Sequence, residues 1–168
     1  MRDDGAESDG WIGGLRRYLL ASAGLHLVWE IVQLPLYSLW KTGTLREQAF
    51  AVLHCTGGDI LIAGSSLLTA LALVGRPGWP SGFFGRVTGL TLMIGIGYTI
   101  YSEWLNTAVR LSWTYSELMP VVPWIGTGLS PLLQWVVVPT LALWAASGWA
   151  VKAGAAAIAA SAGERRSS

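Results

Sequence analysis

Residues 18–40 read YLLASAGLHLVWEIVQLPLYSLW, an apolar run bounded by Arg16-Arg17 before it and Lys41 after it. About 20 helical residues cross the roughly 30 Å of a bilayer's hydrocarbon, so the run is long enough to span one. It nevertheless contains His26, Glu30 and Gln33. An ionisable side chain at the bilayer centre costs roughly 2.5–3.5 kcal/mol on insertion scales, and such a residue marks a functional site by default.

Three further runs of this kind follow, over about 48–74, 84–105 and 131–151. The second stops at Gly75-Arg76-Pro77-Gly78, a turn signal. The fourth opens on Pro131 in its first turn, where a missing N–H costs little. Pro35 and Pro139 fall inside spans and are expected to kink them. The chain is 52% hydrophobic and 12% charged, about half the charged fraction of a soluble domain. The predicted fold class is therefore all-α, an integral membrane bundle of four transmembrane helices with an aromatic outer loop between helices three and four. One domain covers 16–152. A polar cytoplasmic tail, 1–15, precedes it, and a small-residue cytoplasmic tail, 153–168, read as disordered, follows. The start MRDDGAESDG is acidic where a secretory signal is basic, so no cleavage is expected. The Ala, Gly, Trp and Arg content reads as bacterial.

Orientation follows from the basic residues. With four spans, Arg2, Arg16, Arg17, Arg76, Arg86, Lys152, Arg165 and Arg166 share one side, and Lys41, Arg46 and Arg110 the other. That bias puts both termini in the cytoplasm, with the chain in the inner cell membrane. Depth then follows at about 1.5 Å per residue. His26, Glu30, His54, Asp59 and Glu103 cluster from mid-depth to the outer face, and the inner halves of the spans hold almost nothing ionisable.

Spacing supports convergence. His26, Glu30 and Gln33 are four and then three apart and share a helix face. Thr88, Thr91 or Leu92, Gly95, Thr99, Glu103 and Asn106 or Thr107 form a second, small-and-polar stripe. His54 lies five before Asp59, about 140° off its face on a regular helix, and joins it only through a distortion at Gly57-Gly58. Imidazole with carboxylate suits zinc, iron or manganese, so His26, Glu30, His54 and Asp59 form the expected metal set. Glu103 and Asp59 are the expected catalytic carboxylates. Gln33, Asn106, Arg110, Trp113 and Tyr115 are the expected substrate contacts. Haem between His26 and His54 is not expected, because the helical rise separates them by about 10 Å in depth.

The bland alternative is a hydrogen-bonded network tying the helices together, such as His26 with Glu30 or His54 with Glu103. Intramembrane polar pairs contribute only about 0.6 kcal/mol each, weak recompense for five buried titratable groups. Cys55 excludes a disulfide and a multi-cysteine cage. It points about 100° from His54 and reads as a small hydrophobe. A net charge of +1 offers no basic field, so no nucleic-acid partner is expected.

The function these residues point to is a metal-dependent membrane enzyme acting on a lipid-like or membrane-soluble substrate. The alternatives are a small proton-coupled transporter, which as four helices enclosing little channel would act as an oligomer, and an accessory subunit of a membrane complex. The topology is directly testable. In a Cys55→Ala background, single cysteines at Ser8 and Ser116 are expected to react with an impermeant maleimide from opposite sides. Labelling from the same side would overturn the arrangement of spans.

Overall fold

On the first helix Tyr18, Ser22, His26, Glu30 and Gln33 are buried. Their steps of four and finally three residues are those of one helical face. Outward from the same helix point Leu20, Val28, Ile31 and Val32, all exposed. This inversion, with polar groups inside and aliphatic groups outside, is what a bilayer favours and water penalises.

The computed structural model describes residues 4–74, 79–80 and 84–148. Four long helices carry the chain: α1 (Asp4–Gln33), α3 (Leu45–Val74), α4 (Phe84–Trp104) and α5 (Leu129–Ala146). A single turn, α2 (Leu39–Thr42), sits between the first two. No strand occurs among the described residues, only the isolated bridges Tyr37 with Tyr115 and Val121 with Gly128. Helix α1 packs on α3 and α5, and α4 packs on the same two, closing a ring.

Several boundaries differ from expectation. Helix α1 begins at Asp4, so the segment read as a polar tail is helical from there. Pro35 does not kink the first helix but ends it: Gln33 closes α1 and a 3₁₀ turn covers Leu34–Leu36, since proline cannot continue the backbone ladder. Pro139 does lie inside α5. The third helix runs on through a π-turn, Leu105–Val109. The turn at 75–78 and the tail at 153–168 lie outside the described residues.

By length and composition α1, α3 and α5 are apolar enough to cross a membrane. Helix α4 is not among them. Its Thr88, Thr91, Thr99 and four glycines dilute the apolar content, although Met93, Tyr98, Tyr101 and Trp104 face outward.

Inside the ring Trp135 lies across the bundle. A Cβ on Gly95 of α4 would fall 2.2 Å from the Trp135 ring, so only glycine leaves room for the indole there. His26 meets the ring at 5.4 Å between centroids. On one side of Trp135 the core is apolar, built from Tyr18, Leu67, Leu71, Val87 and Leu143. At that end Arg17 donates from Nε and Nη2 to the Ala146 carbonyl, at 3.3 and 2.9 Å, placing a cation at the C-terminus of α5, where the helix dipole welcomes it. The buried carboxylates Glu30 and Glu103, with Asp59, Gln33 and Gln134, line the cavity on the other side.

Gly95→Ala is therefore expected to destabilise the bundle by about 1–3 kcal/mol, the usual cost of overpacking. A lowered midpoint of thermal unfolding in detergent reads this out. An unchanged midpoint would mean that the indole does not rest on Gly95.

Candidate functional site

The polar half is organised by one group that can only donate. The Trp29 indole N–H gives its hydrogen to Ser130 Oγ at 3.2 Å. Ser130 must then give its own hydrogen to Gln33 Oε1 at 2.9 Å. That turns the Gln33 amide nitrogen toward Glu30 Oε1 at 2.7 Å and Gln134 Oε1 at 3.3 Å. With its carbonyl engaged, Gln134 presents its nitrogen to His26 Nδ1 at 2.9 Å, Asp59 Oδ2 at 2.9 Å and Glu30 Oε1 at 3.1 Å. His26 Nδ1 and Asp59 Oδ2 are themselves 3.3 Å apart. Three helices thus meet at one amide: α1 through His26 and Glu30, α3 through Asp59, α5 through Gln134.

Glu30, Asp59 and Gln134 line a cavity of about 330 Å³, and so do Glu103, Asn106 and Trp113. The Tyr115 hydroxyl donates to Glu103 Oε2 and accepts from the Gly128 N–H at 2.9 Å. The segment 114–116 is stitched to the end of α1. Ser38 N–H donates to the Thr114 carbonyl at 2.9 Å, and Ser116 N–H to the Leu36 carbonyl at 2.8 Å. Ser116 Oγ donates to the Pro35 carbonyl at 3.0 Å. The loop is therefore a roof with defined attachments. Beyond it a turn exposes Trp124 completely, at φ 79°.

Of the expected metal set, His26, Glu30 and Asp59 come together and His54 does not. Helix α3 runs unbroken through Gly57-Gly58, so the distortion that would have turned His54 inward is absent. His54 is exposed, stacks on Phe50 at 5.5 Å, and reaches the cavity only as part of its lining. Neither pairing of the structural network forms as expected, since His26 engages Asp59 and Gln134 instead of Glu30. Among the described residues no three of His, Cys, Asp and Glu stand close enough to hold a metal ion in the present arrangement.

Gln33 belongs to the amide relay, while Asn106 bonds locally to the Ser102 carbonyl at 2.8 Å. Arg110 is exposed at the cavity's edge. Gln134, Tyr37, Trp135 and Cys55 also line the cavity, and none of the four is among the expected metal, catalytic or substrate residues. A signal for Gln134 was present: it is the one amide in the run PLLQWVVVP. No protein-family model, curated protein or solved structure matches this chain.

Burial pushes the Tyr115 phenol above its ordinary value, and the neighbouring Glu103 carboxylate adds to the shift. A group raised in the folded state stabilises it below the unfolded value, near 10 for tyrosine, and that contribution is lost as pH rises through the folded value. Stability is therefore expected to fall above about pH 10, with a shallower fall in Tyr115→Phe. The same substitution is expected to cost about 1.5–3 kcal/mol at neutral pH, the range for a hydrogen bond to a charged group. Unfolding midpoints across an alkaline series test both; parallel curves would show that Tyr115 does not carry the dependence.

Proposed function

We propose that the chain is an integral membrane enzyme in which α1, α3, α4 and α5 all span the bilayer, with both termini cytoplasmic, and which acts on a lipid-like substrate held in the cavity. The observation that carries this reading is that two polar centres line one cavity. Glu30, Asp59 and Gln134 of the knot line it, and so does Glu103, which Tyr115 holds by a hydrogen bond, together with apolar Leu34, Val52, Ile62 and Tyr98. A few fixed polar groups in an apolar pocket are the usual makeup of a small-molecule site. Helix α4 spans as well in this reading, its Thr91, Thr99 and Glu103 buried and its flanks packed on α3 and α5.

Glu103 is the general base in this reading. Tyr115 orients its carboxylate through Oε2, leaving Oε1 to take a proton from the substrate or from a water beside it. Asp59, held by Gln134 and lining the same cavity, bears the opposite role in this reading. Transport is favoured less, because the core beyond Trp135 is apolar and offers no continuation of the polar path.

The test uses purified protein in nanodiscs. Photoactivatable phospholipid and isoprenoid analogues are expected to crosslink to cavity residues such as Tyr98 and Trp113. Products formed from unlabelled lipid mixtures, followed by mass spectrometry, are expected to fall about 100-fold or more in Glu103→Gln, the scale of lost general-base catalysis, while crosslinking persists. Crosslinks confined to the outer helix faces, or turnover indifferent to Glu103, would overturn the reading.

A further inference from the structure

Glu30 is the buried carboxylate to which the proposed chemistry gives no part, and its surroundings leave its charge unanswered. Its Oε1 accepts from the amides of Gln33 at 2.7 Å and Gln134 at 3.1 Å, and both donors are neutral. No N–H or protein hydroxyl donates to Oε2, although Glu30 is only 9% exposed. Nor is Oε2 among the polar atoms sealed off without a partner, so it keeps open surface on a residue that lines the cavity. Asp59 repeats the pattern: Oδ2 accepts from Gln134 at 2.9 Å, and no N–H or hydroxyl donates to Oδ1. Both groups act as acceptors in these bonds, as ionised carboxylates do. Among the described residues the one ion pair is His26 with Asp59, at 3.3 Å. A single imidazole answers at most one of the two charges.

We infer that Glu30 anchors the ammonium head of the substrate, and that the substrate is a membrane-soluble amine. A protonated amine brings N–H donors and a positive charge on one compact group, the two things that Glu30 Oε2 and Asp59 Oδ1 lack. Charge-assisted hydrogen bonds of this kind are about twice as strong as neutral ones. The remaining lining suits the same ligand. Tyr37, Tyr98 and Trp113 line the cavity, and aromatic rings attract a cation through their quadrupole. Leu34, Val52 and Ile62 offer apolar surface to a hydrocarbon chain.

The same charges select against other headgroups. A phosphate or carboxylate head entering the cavity meets Glu30, Asp59 and Glu103, and Arg110, exposed at the edge, is the one permanent cation in the lining. A neutral alcohol donates a hydrogen but brings no charge. A quaternary ammonium brings charge but no N–H. This inference rests on the proposed substrate cavity and names the headgroup it takes, leaving Glu103 Oε1 to its role as base.

The experiment uses the full chain in nanodiscs and a dodecylamine carrying a diazirine near its nitrogen. Saturable crosslinking to cavity residues is expected. Dodecylamine is expected to compete for it about tenfold or more better than dodecanol, dodecanoate or dodecyltrimethylammonium at equal mole fraction in the membrane, the scale of one hydrogen bond to a charged group. Butylamine at the same total concentration, with the same head and little chain to bury, is expected to compete about tenfold or more less well. In Glu30→Gln the advantage of the amine over the alcohol is expected to vanish while a diazirine dodecanol still labels the cavity, a pattern that an unfolded variant cannot give. Any competitor matching dodecylamine, or an advantage that survives Glu30→Gln, would overturn the inference. Turnover separates the two readings. An amine preference beside turnover indifferent to Glu103 leaves the ammonium site standing and overturns the enzyme. Turnover that depends on Glu103, with cavity labelling blind to headgroup, does the reverse.

Discussion

The hydrogen bonds of the Gln134 amide are the constraint on which the polar half of this protein depends. In a low-dielectric interior an unpaired polar group is expensive, and a polar network is stable only when its members are satisfied together. Gln134 joins α5 to α1 and to α3, and its carbonyl receives Gln33. Replace it by leucine and His26, Glu30 and Asp59 lose a shared donor at once. Helix packing at this level is therefore specified by one side chain's ability to reach three partners, and not by complementary aliphatic surfaces as at the opposite end.

Much of this was legible in the sequence, because a helical face repeats every three to four residues and charge inside an apolar run stands out. The stripe His26, Glu30, Gln33 is buried as its spacing implied, and so is Thr91, Gly95, Thr99, Glu103. What spacing could not supply was angle between helices. His54 is one face removed from Asp59, and only a break in the helix would recruit it; α3 is continuous there, and glycine permits a distortion without compelling one. Nor could spacing weigh Gln134, a neutral residue in a run that looks purely apolar. Its importance arises from partners on other helices. Tyr115 was assigned to substrate, but its hydroxyl is turned to Glu103.

Trp135 divides the molecule into two chemically distinct compartments. One is packed with Tyr18, Leu67, Val87 and Leu143; the other holds the carboxylates and the cavity. The division depends on a single missing methyl group, since Gly95 gives up the space that the indole fills. The same ring backs His26, so the imidazole cannot swing away from the knot without moving the partition.

The roof over the cavity is held along its length. Thr114 and Ser116 bond to the end of α1, and Tyr115 bonds to Glu103 and Gly128. Such a cover is a poor door. His54 of α3 and Tyr98 of α4 are exposed and also line the cavity. In the proposed arrangement of spans these two side chains would face acyl chains. A substrate of the proposed enzyme entering between them would come sideways, already dissolved in lipid, and its local concentration would be set by partitioning into the membrane before any residue of the protein had touched it.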